Sequence, residues 1–371
     1  MKSVEELTES GIVSWGNLQR MKTLMKRAEA GEELVIGFIG GSITQGSLSS
    51  LPTTCYAYLV YQWWVNTFPK ATFHYVNAGV GGTTSYYGVS RVNEHLLSHE
   101  PDFVIVEFSV NDKGNEFFKE TYEGLIRNII NSKANPAVLV VNNLFYEDGT
   151  NAQAYHNEVA KAYELPIFSV RDSLYPEIES GAIERILLTP DNLHPNDIGH
   201  KLIANMISTF LGKMKQKDTT NEEVFDYNPS LVTQNRFEHA SRLQNDNCSP
   251  ILNGFVKDEA VQTHIADNFK RGWMASNKGD SIKFKVDCSS IGVQYRKTIH
   301  QPAPVAKLII DQNEDAAIML DANFKETWGD SLHLDFIQQF NSKQAHEIEI
   351  RITNVLENNQ TPFYLVGLIL T

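Results

Sequence analysis

The sequence predicts a two-domain protein, with an α/β domain built on a parallel sheet followed by an antiparallel β-sandwich of jelly-roll-like type. The 371 residues exceed the length at which a single core usually stops growing. The first part alternates short apolar runs with helical patterns, whereas the last part alternates apolar and polar residues without intervening helices. We therefore expect one domain over residues 1–215 and a second over residues 225–371.

Five apolar runs in the first part have the length of β-strands. Helical spacing separates them, for example at Met21, Leu24 and Met25 before the first run. Strands that are apolar throughout and alternate with helices are typical of a parallel sheet covered on both faces. Ligands of such sheets bind beyond the carboxyl ends of the strands, so we expect the chemistry there. The five runs are residues 34–39, 74–78, 103–108, 137–142 and 166–170.

The chain turns polar over residues 213–229, which predicts a linker. Beyond it the apolar residues recur with a period of two, as at Ile282, Phe284 and Val286. Residues 305–310, 347–352 and 363–370 are further strand-like runs. Half-buried strands without helices between them favour an antiparallel sandwich.

Composition excludes some classes of partner. Lysine and arginine number 32 and aspartate and glutamate 45, so the net charge is −13 and nucleic acid is not expected as the main partner. An acidic chain also gains nothing from an anionic membrane surface, and no apolar stretch approaches the ~18 residues that span a bilayer. The first residues lack the apolar core of a signal peptide, which predicts a cytoplasmic protein; a chain that had lost its leader would look the same.

Neither a disulfide framework nor a metal site is expected. The three cysteines, Cys55, Cys248 and Cys288, lie far apart and suit a reducing compartment. His95 and His99 have the helical spacing of a zinc hydrolase but lack its glutamate, so we interpret them as part of a helix face.

The segment Gly40-Gly41-Ser42-Ile43-Thr44 follows the first strand and can turn sharply enough to project a serine into the crevice. Three other interpretations remain open. A phosphate-binding loop requires a lysine where Ser47 stands. A nucleophile elbow requires a glycine where Thr44 stands. An ordinary polar turn would carry no chemistry.

Three other segments have the residue types of an acyl-transfer site. Asp191 precedes His194 by three residues before the last predicted helix, which can set a carboxylate beside an imidazole. The glycine-rich residues 77–85 can expose backbone N–H groups to an oxyanion, and Asn111 offers a neutral amide donor after the third strand. Each segment alone is equally typical of a capping loop or a turn, and only their joint occurrence at the predicted crevice favours a site.

In this order the four segments resemble the blocks of the SGNH (GDSL-type) hydrolases. Gly41 stands where many members have aspartate, and Ser109 replaces the usual glycine before Asn111. The resemblance covers about the first 200 residues. It implies a flavodoxin-like three-layer sandwich and a catalytic triad of Ser42, Asp191 and His194. It also implies an oxyanion hole formed by Ser42, Gly82 and Asn111, with no metal and no organic cofactor.

The order of the two domains resembles bacterial SGNH esterases that deacetylate xylan-type saccharides, which predicts a serine esterase acting on acetylated xylo-oligosaccharides. Trp63, Trp64 and Tyr86 are candidate sugar-binding residues, although core packing is the commoner role of such a pair of tryptophans. Three alternatives stay open: a lysophospholipase or thioesterase of the same family, a non-catalytic carbohydrate-binding protein, and a second domain that forms contacts in a homo-oligomer.

Overall fold

The computed structural model describes residues 2–218 and 229–371. The chain folds into two compact units, Met1–Glu238 and His239–Thr371. Most of the predicted linker and the predicted start of the second domain at residue 225 lie outside the described residues.

Within residues 2–218 the first unit contains a six-stranded sheet and nine α-helices. The strands are β1 (Ile12–Ser14), β2 (Glu33–Gly40), β3 (Thr72–Gly79), β4 (Phe103–Glu107), β5 (Ala137–Asn142) and β6 (Ile167–Ser169). The helices are α1 (Val4–Gly11), α2 (Gln19–Ala30), α3 (Ser42–Gln45), α4 (Tyr56–Thr67), α5 (Ser85–His95), α6 (Glu116–Ile130), α7 (Gln153–Ala162), α8 (Val170–Glu179) and α9 (Asp197–Gln216).

The strand order is β1-β6-β5-β4-β2-β3, and all neighbours from β3 to β6 pair in parallel. The five parallel strands are the five predicted ones, and their order is that of the flavodoxin-like fold. The predicted α/β class is therefore confirmed. The sixth strand, β1, was not predicted; it is a three-residue edge strand that pairs antiparallel with β6.

Helices on the two faces complete the layers. Leu34, Ile36 and Phe38 of β2 are fully buried in a cluster that includes residues of α2, α4 and α9. Helices α5, α6 and α7 form a second group, in which α6 packs against both α5 and α7. None of the helices among the described residues combines the length and apolar character needed to cross a membrane.

Within residues 239–371 the second unit forms a nine-stranded antiparallel sheet, ordered β13-β12-β14-β11-β15-β10-β9 with β7 on β15 and β8 on β11. This confirms the predicted antiparallel class, while the jelly-roll topology stays a prediction. The strands are β7 (Ser241–Leu243), β8 (Ile251–Asn253), β9 (Val256–Lys257), β10 (Trp273–Ala275), β11 (Ser281–Lys297), β12 (Val305–Ile310), β13 (Ile318–Asp321), β14 (Ser331–Asn354) and β15 (Phe363–Leu370).

Two of these strands are longer than the sequence pattern indicates. The alternation predicted at residues 281–288 is the first half of β11, and residues 347–352 are one end of the 24-residue β14. Irregularities in the register interrupt their pairing after Cys288 and Ile291. Such bulges bend a strand and shift its alternation of faces, which explains why a strict period of two ends there.

Residues 229–238 belong to the first unit, beyond the 1–215 range predicted from the sequence. The buried carboxylate of Glu123 on α6 accepts hydrogen bonds from the Val232 and Thr233 backbone N–H groups, each at 2.7 Å, and from the Thr233 hydroxyl. Arg236 forms a bidentate ion pair with Glu120, which lies one helical turn before Glu123 on α6. These side chains fasten the segment to α6.

We predict that Glu123→Gln lowers the free energy of unfolding by about 2–4 kcal/mol, because the amide nitrogen would face N–H donors that now meet a carboxylate oxygen. Chemical denaturation followed by circular dichroism measures the change. The control is Glu116→Gln on the same helix, whose side chain is 77% exposed and whose loss should cost no more than about 0.5 kcal/mol. Equal effects of the two substitutions would contradict this account.

Candidate active site

Ser42 lies two residues after the end of β2, as the first residue of the short helix α3. Because β2 pairs in parallel with both β3 and β4, the segments that follow these three strands emerge at one edge of the sheet. The side chain of Ser42 is only 6% exposed. The serine is thus held, nearly buried, at the carboxyl-terminal edge of the parallel sheet.

The Asp191–His194 loop precedes α9 and folds back on itself. Asp191 Oδ1 accepts hydrogen bonds from the backbone N–H groups of Leu193 (3.0 Å) and His194 (2.7 Å), and its Oδ2 lies 2.6 Å from His194 Nδ1. Burial acts to raise the pKa of Asp191, but these hydrogen bonds outweigh it and lower the pKa below its ordinary value. The carboxylate therefore stays ionised beside the imidazole.

The same imidazole reaches the serine. His194 Nε2 lies 2.8 Å from Ser42 Oγ, across 152 residues of sequence. With a proton fixed on Nδ1 by Asp191, Nε2 carries the lone pair and can accept the hydroxyl proton of Ser42. The arrangement can generate an activated oxygen nucleophile.

A glycine turn faces the serine from the end of β3. Gly82 has a φ of +69°, a conformation that other residues adopt only with strain. The Gly81 N–H donates a 2.6 Å hydrogen bond to Gln45 Oε1 on α3, and the Thr83 hydroxyl donates to Val80 O at 2.7 Å. These contacts fix the turn against the helix that carries Ser42.

Asn111 follows β4 and packs on Gly41, the residue before Ser42. A Cβ atom built on Gly41 would lie 2.1 Å from Asn111 Oδ1 and 3.3 Å from Nδ2, which no structure tolerates without a shift. A side chain at position 41, including the aspartate common in the family resembled, would therefore displace this amide. The departure from the family pattern at Gly41 is coupled to the position of Asn111.

Two further residues fasten the loop after Ser42 to α9. Asp197 accepts hydrogen bonds from the Ser50 backbone N–H (2.8 Å), the Ser50 hydroxyl (2.5 Å) and the Thr54 hydroxyl (2.7 Å), which lower its pKa to about 2. His200 Nδ1 accepts the Tyr56 N–H at 3.2 Å, and burial lowers the pKa of this imidazole. Neither residue was predicted from the sequence, although both follow His194 closely.

Glu107 is a fully buried carboxyl group at the end of β4. Its Oε1 accepts hydrogen bonds from the Ser109 N–H and hydroxyl, both at 3.1 Å, while Oε2 has no hydrogen-bond partner among the described residues. Burial raises its pKa to about 7 against the opposing effect of these bonds. The only signal in the sequence is one glutamate in the otherwise apolar run of residues 103–108.

The three predicted sugar-binding aromatics are placed in the core or at its margin. Trp64 is fully buried and stacks on Phe68 at 5.5 Å, and Tyr86 is 2% exposed against Phe117. Trp63 is half-buried against the same core as Trp64. The burial of Trp64 and Tyr86 argues against direct contact with a substrate, since their faces already have aromatic partners.

Comparison with protein families identifies the class. Residues 38–202 match the GDSL-like lipase/acylhydrolase family, a range that contains Ser42, Gly82, Asn111, Asp191 and His194. The first unit therefore contains an SGNH (GDSL-type) hydrolase domain, and the resemblance in its sequence is confirmed. The chain is a carboxylic ester hydrolase.

More particular relatives are known. A two-domain esterase active on acetylated mannans, crystallised with mannopentaose, is 52% identical, with a TM-score of 0.94 over 98% of this chain and 97% of that one. An acetylxylan esterase of Geobacillus stearothermophilus is 25% identical over 49% of this chain and 95% of its own length. Thioesterase 1/protease 1/lysophospholipase L1 of Escherichia coli K12 is 25% identical over 52% of this chain and 89% of its own.

We predict that Glu107→Gln removes a pH dependence of stability. Between pH 4.5 and about 7 the folded chain holds a proton on Glu107 that the unfolded chain has released, so wild-type stability falls as pH rises through this window. The loss relative to the variant should reach about 3 kcal/mol. Unfolding of both proteins at pH 4 to 8 measures it.

The matched comparison is Glu6→Gln. Hydrogen bonds from the backbone and side chain of Ser3 lower the pKa of Glu6, so this carboxylate stabilises the fold above its unfolded pKa and the benefit is lost as pH falls. The two variants should therefore differ from the wild type with opposite pH trends. Parallel trends would refute the assignment for Glu107.

Proposed function

We propose that this chain is an acetylesterase that removes short acyl groups from acetylated saccharides through an acyl-enzyme on Ser42. The observation that carries the proposal is the continuous contact from Ser42 Oγ through the His194 imidazole to Asp191, at 2.8 and 2.6 Å. In this proposal the catalytic domain is built on residues 1–215 and the accessory domain lies within residues 225–371, while residues 229–238 pack with the catalytic unit.

In the first step Ser42 Oγ attacks the ester carbonyl carbon and His194 Nε2 takes the hydroxyl proton. Asp191 holds the imidazole in the tautomer that makes this transfer possible and stabilises the imidazolium that forms. The tetrahedral intermediate then collapses. His194 returns its proton to the leaving sugar oxygen, and the acyl group stays on Ser42.

The negative oxygen of the tetrahedral intermediate would be held by the Ser42 N–H, the Gly82 N–H and the Asn111 amide. Donors fixed before the reaction stabilise developing charge without reorganising. The hydrogen bonds of Gly81 to Gln45 and of Thr83 to Val80, and the packing of Asn111 on Gly41, support this role because they hold the donors in place. In the second step His194 activates a water that releases the acid and restores Ser42.

Acetylated saccharides are favoured as substrates by the whole-length similarity to the esterase active on acetylated mannans, at 52% identity. The acetylxylan esterase of Geobacillus stearothermophilus, similar across 49% of this chain, supports the same acyl group on a different sugar. We therefore propose acetylated oligosaccharides as the substrate class. Manno-oligosaccharides rank ahead of the xylo-oligosaccharides that the sequence analysis favoured.

A second candidate is a lipid- or thioester-acting hydrolase, supported by the similarity to the Escherichia coli thioesterase/lysophospholipase. Rates on p-nitrophenyl esters of increasing chain length separate the two candidates. An acetylesterase loses rate beyond C4, whereas rates that rise with chain length would favour the lipid-type enzyme and overturn the acetyl preference.

We predict that Ser42→Ala lowers kcat for acetate release by about 10⁴-fold or more, because the variant lacks the hydroxyl that forms the acyl-enzyme in this mechanism. The assay is acetate release from acetylated manno- and xylo-oligosaccharides. Ser98→Ala is the control: this exposed hydroxyl follows α5 at the other end of the strands and donates a hydrogen bond to the Glu94 carbonyl. Full activity of Ser42→Ala, or an inactive wild type, would refute the proposed function.

We predict that Asn111→Ala lowers kcat by about 100- to 1,000-fold with little change in KM, since the donor acts on charge that is absent from the ground state. Steady-state kinetics on p-nitrophenyl acetate measure both constants. Asn93→Ala, exposed on α5, serves as the matched asparagine control. A rise in KM at constant kcat would instead assign Asn111 to substrate binding.

A further inference from the structure

Asp112, the residue after Asn111, joins the two loops that carry the proposed oxyanion donors. Its Oδ1 accepts a 2.8 Å hydrogen bond from the backbone N–H of Ser85. Ser85 is the first residue of α5 and follows Gly82 by three positions. A carboxylate at this position also meets the positive end of the helix dipole. Asp112 therefore links the loop after β3 to the loop after β4.

His156 on α7 fixes this carboxylate from the other side. Its Nε2 lies 2.9 Å from Asp112 Oδ2, and the two side chains are 1% and 0% exposed. The imidazole stacks on the ring of Tyr122 from α6, with centroids 3.8 Å apart and planes 7° apart. With Asp112 accepting and Tyr122 covering one face, the imidazole has a single orientation.

Each of the two loops is internally rigid, so a shift of Asp112 would move the donors with it. The backbone N–H groups of Asn111 and Asp112 both donate to the Phe108 carbonyl at 3.0 Å, which makes them one tight turn. On the other loop, the Thr83 hydroxyl closes the turn that contains Gly82. The separation of the donors therefore depends on the bond between the turns.

We propose that Asp112 and His156 are positioning residues that set the distance between the Gly82 N–H and the Asn111 amide in the oxyanion hole. This inference rests on the proposed function, because it assigns a role to groups behind that site. Neither side chain touches the reacting atoms. Both act through the two donor loops.

A purely structural role for the pair would predict a different result. Loss of packing lowers stability and changes kcat only through the folded fraction. Misplacement of a preorganised donor by about 1 Å can instead cost 100-fold in rate while the protein stays folded. The effect should appear in kcat rather than KM, and it should depend on the presence of Asn111.

The experiment compares His156→Phe with His156→Gln. Phenylalanine keeps the stack on Tyr122 but loses the donor to Asp112, whereas glutamine can place an N–H donor where Nε2 stands. We expect kcat on p-nitrophenyl acetate to fall about 10- to 100-fold in His156→Phe at unchanged KM. We expect His156→Gln to recover most of this loss, within about 3-fold of the wild type.

A double-mutant cycle with Asn111→Ala tests whether the effect passes through the donor. In the Asn111→Ala background, His156→Phe should cost no more than about 3-fold in kcat, because the amide that it misplaces is already absent. An equal fold loss in both backgrounds would overturn the inference. So would a change confined to KM, or a folded His156→Phe protein with wild-type kcat.

The second unit offers a matched control. His346 is also buried, bonds to Asp311 Oδ2 through Nδ1 at 2.8 Å, and stacks on Phe340 with centroids 3.7 Å apart. His346→Phe should lower the thermal stability but leave kcat unchanged. An inactive wild type would refute the proposed function and this inference together, whereas an active wild type whose His156→Phe loss ignores Asn111 would refute this inference alone.

Discussion

The parallel pairing of β2 with both β3 and β4 is the constraint on which the candidate site depends. It brings the turns that carry Ser42, Gly82 and Asn111 to one edge of the sheet, although they are spread over about 70 residues of sequence. His194 and Asp191 lie on a loop before α9 that is distant in sequence, so other interactions must hold that loop near Ser42. Asp197 on α9 provides these interactions, since its carboxylate accepts three hydrogen bonds from the segment after Ser42.

Beneath the donors lies a layer of buried polar side chains rather than hydrocarbon. Burying a polar side chain costs free energy unless hydrogen bonds replace those made to water. Buried polar side chains are therefore expected where they fix the position of neighbouring groups. Both oxygens of the Asp112 carboxylate accept a hydrogen bond. Hydrogen bonds to Glu107 compensate only part of its burial, and the pKa of Glu107 is therefore raised. The buried layer behind the donors therefore contains both a carboxylate held by two hydrogen bonds, Asp112, and a carboxyl group whose pKa is raised to about 7, Glu107.

The sequence predicted the α/β class, the five parallel strands and the antiparallel second domain, because apolar runs and period-two patterns reflect burial directly. It did not predict β1, which is too short for any period, or the bulged halves of β11 and β14. The triad candidates have recognisable local spacing. Asp112, His156 and Glu107 come together only in the fold, and Trp64 is a core residue because α4 is apolar on most of its surface.

The attachment of residues 229–238 to α6 has a consequence for how such a protein is assembled in evolution. A segment that joins two domains is commonly regarded as an exchangeable linker. Here residues 229–238 supply hydrogen-bond donors to the Glu123 carboxylate and the ion-pair partner of Glu120. A recombination event that fused the hydrolase to another module at residue 215 would remove the ion-pair partner of Glu120 and leave Glu123 with the Tyr163 hydroxyl in place of its donors from residues 232 and 233. The heritable unit of this enzyme is thus longer than its catalytic motifs suggest.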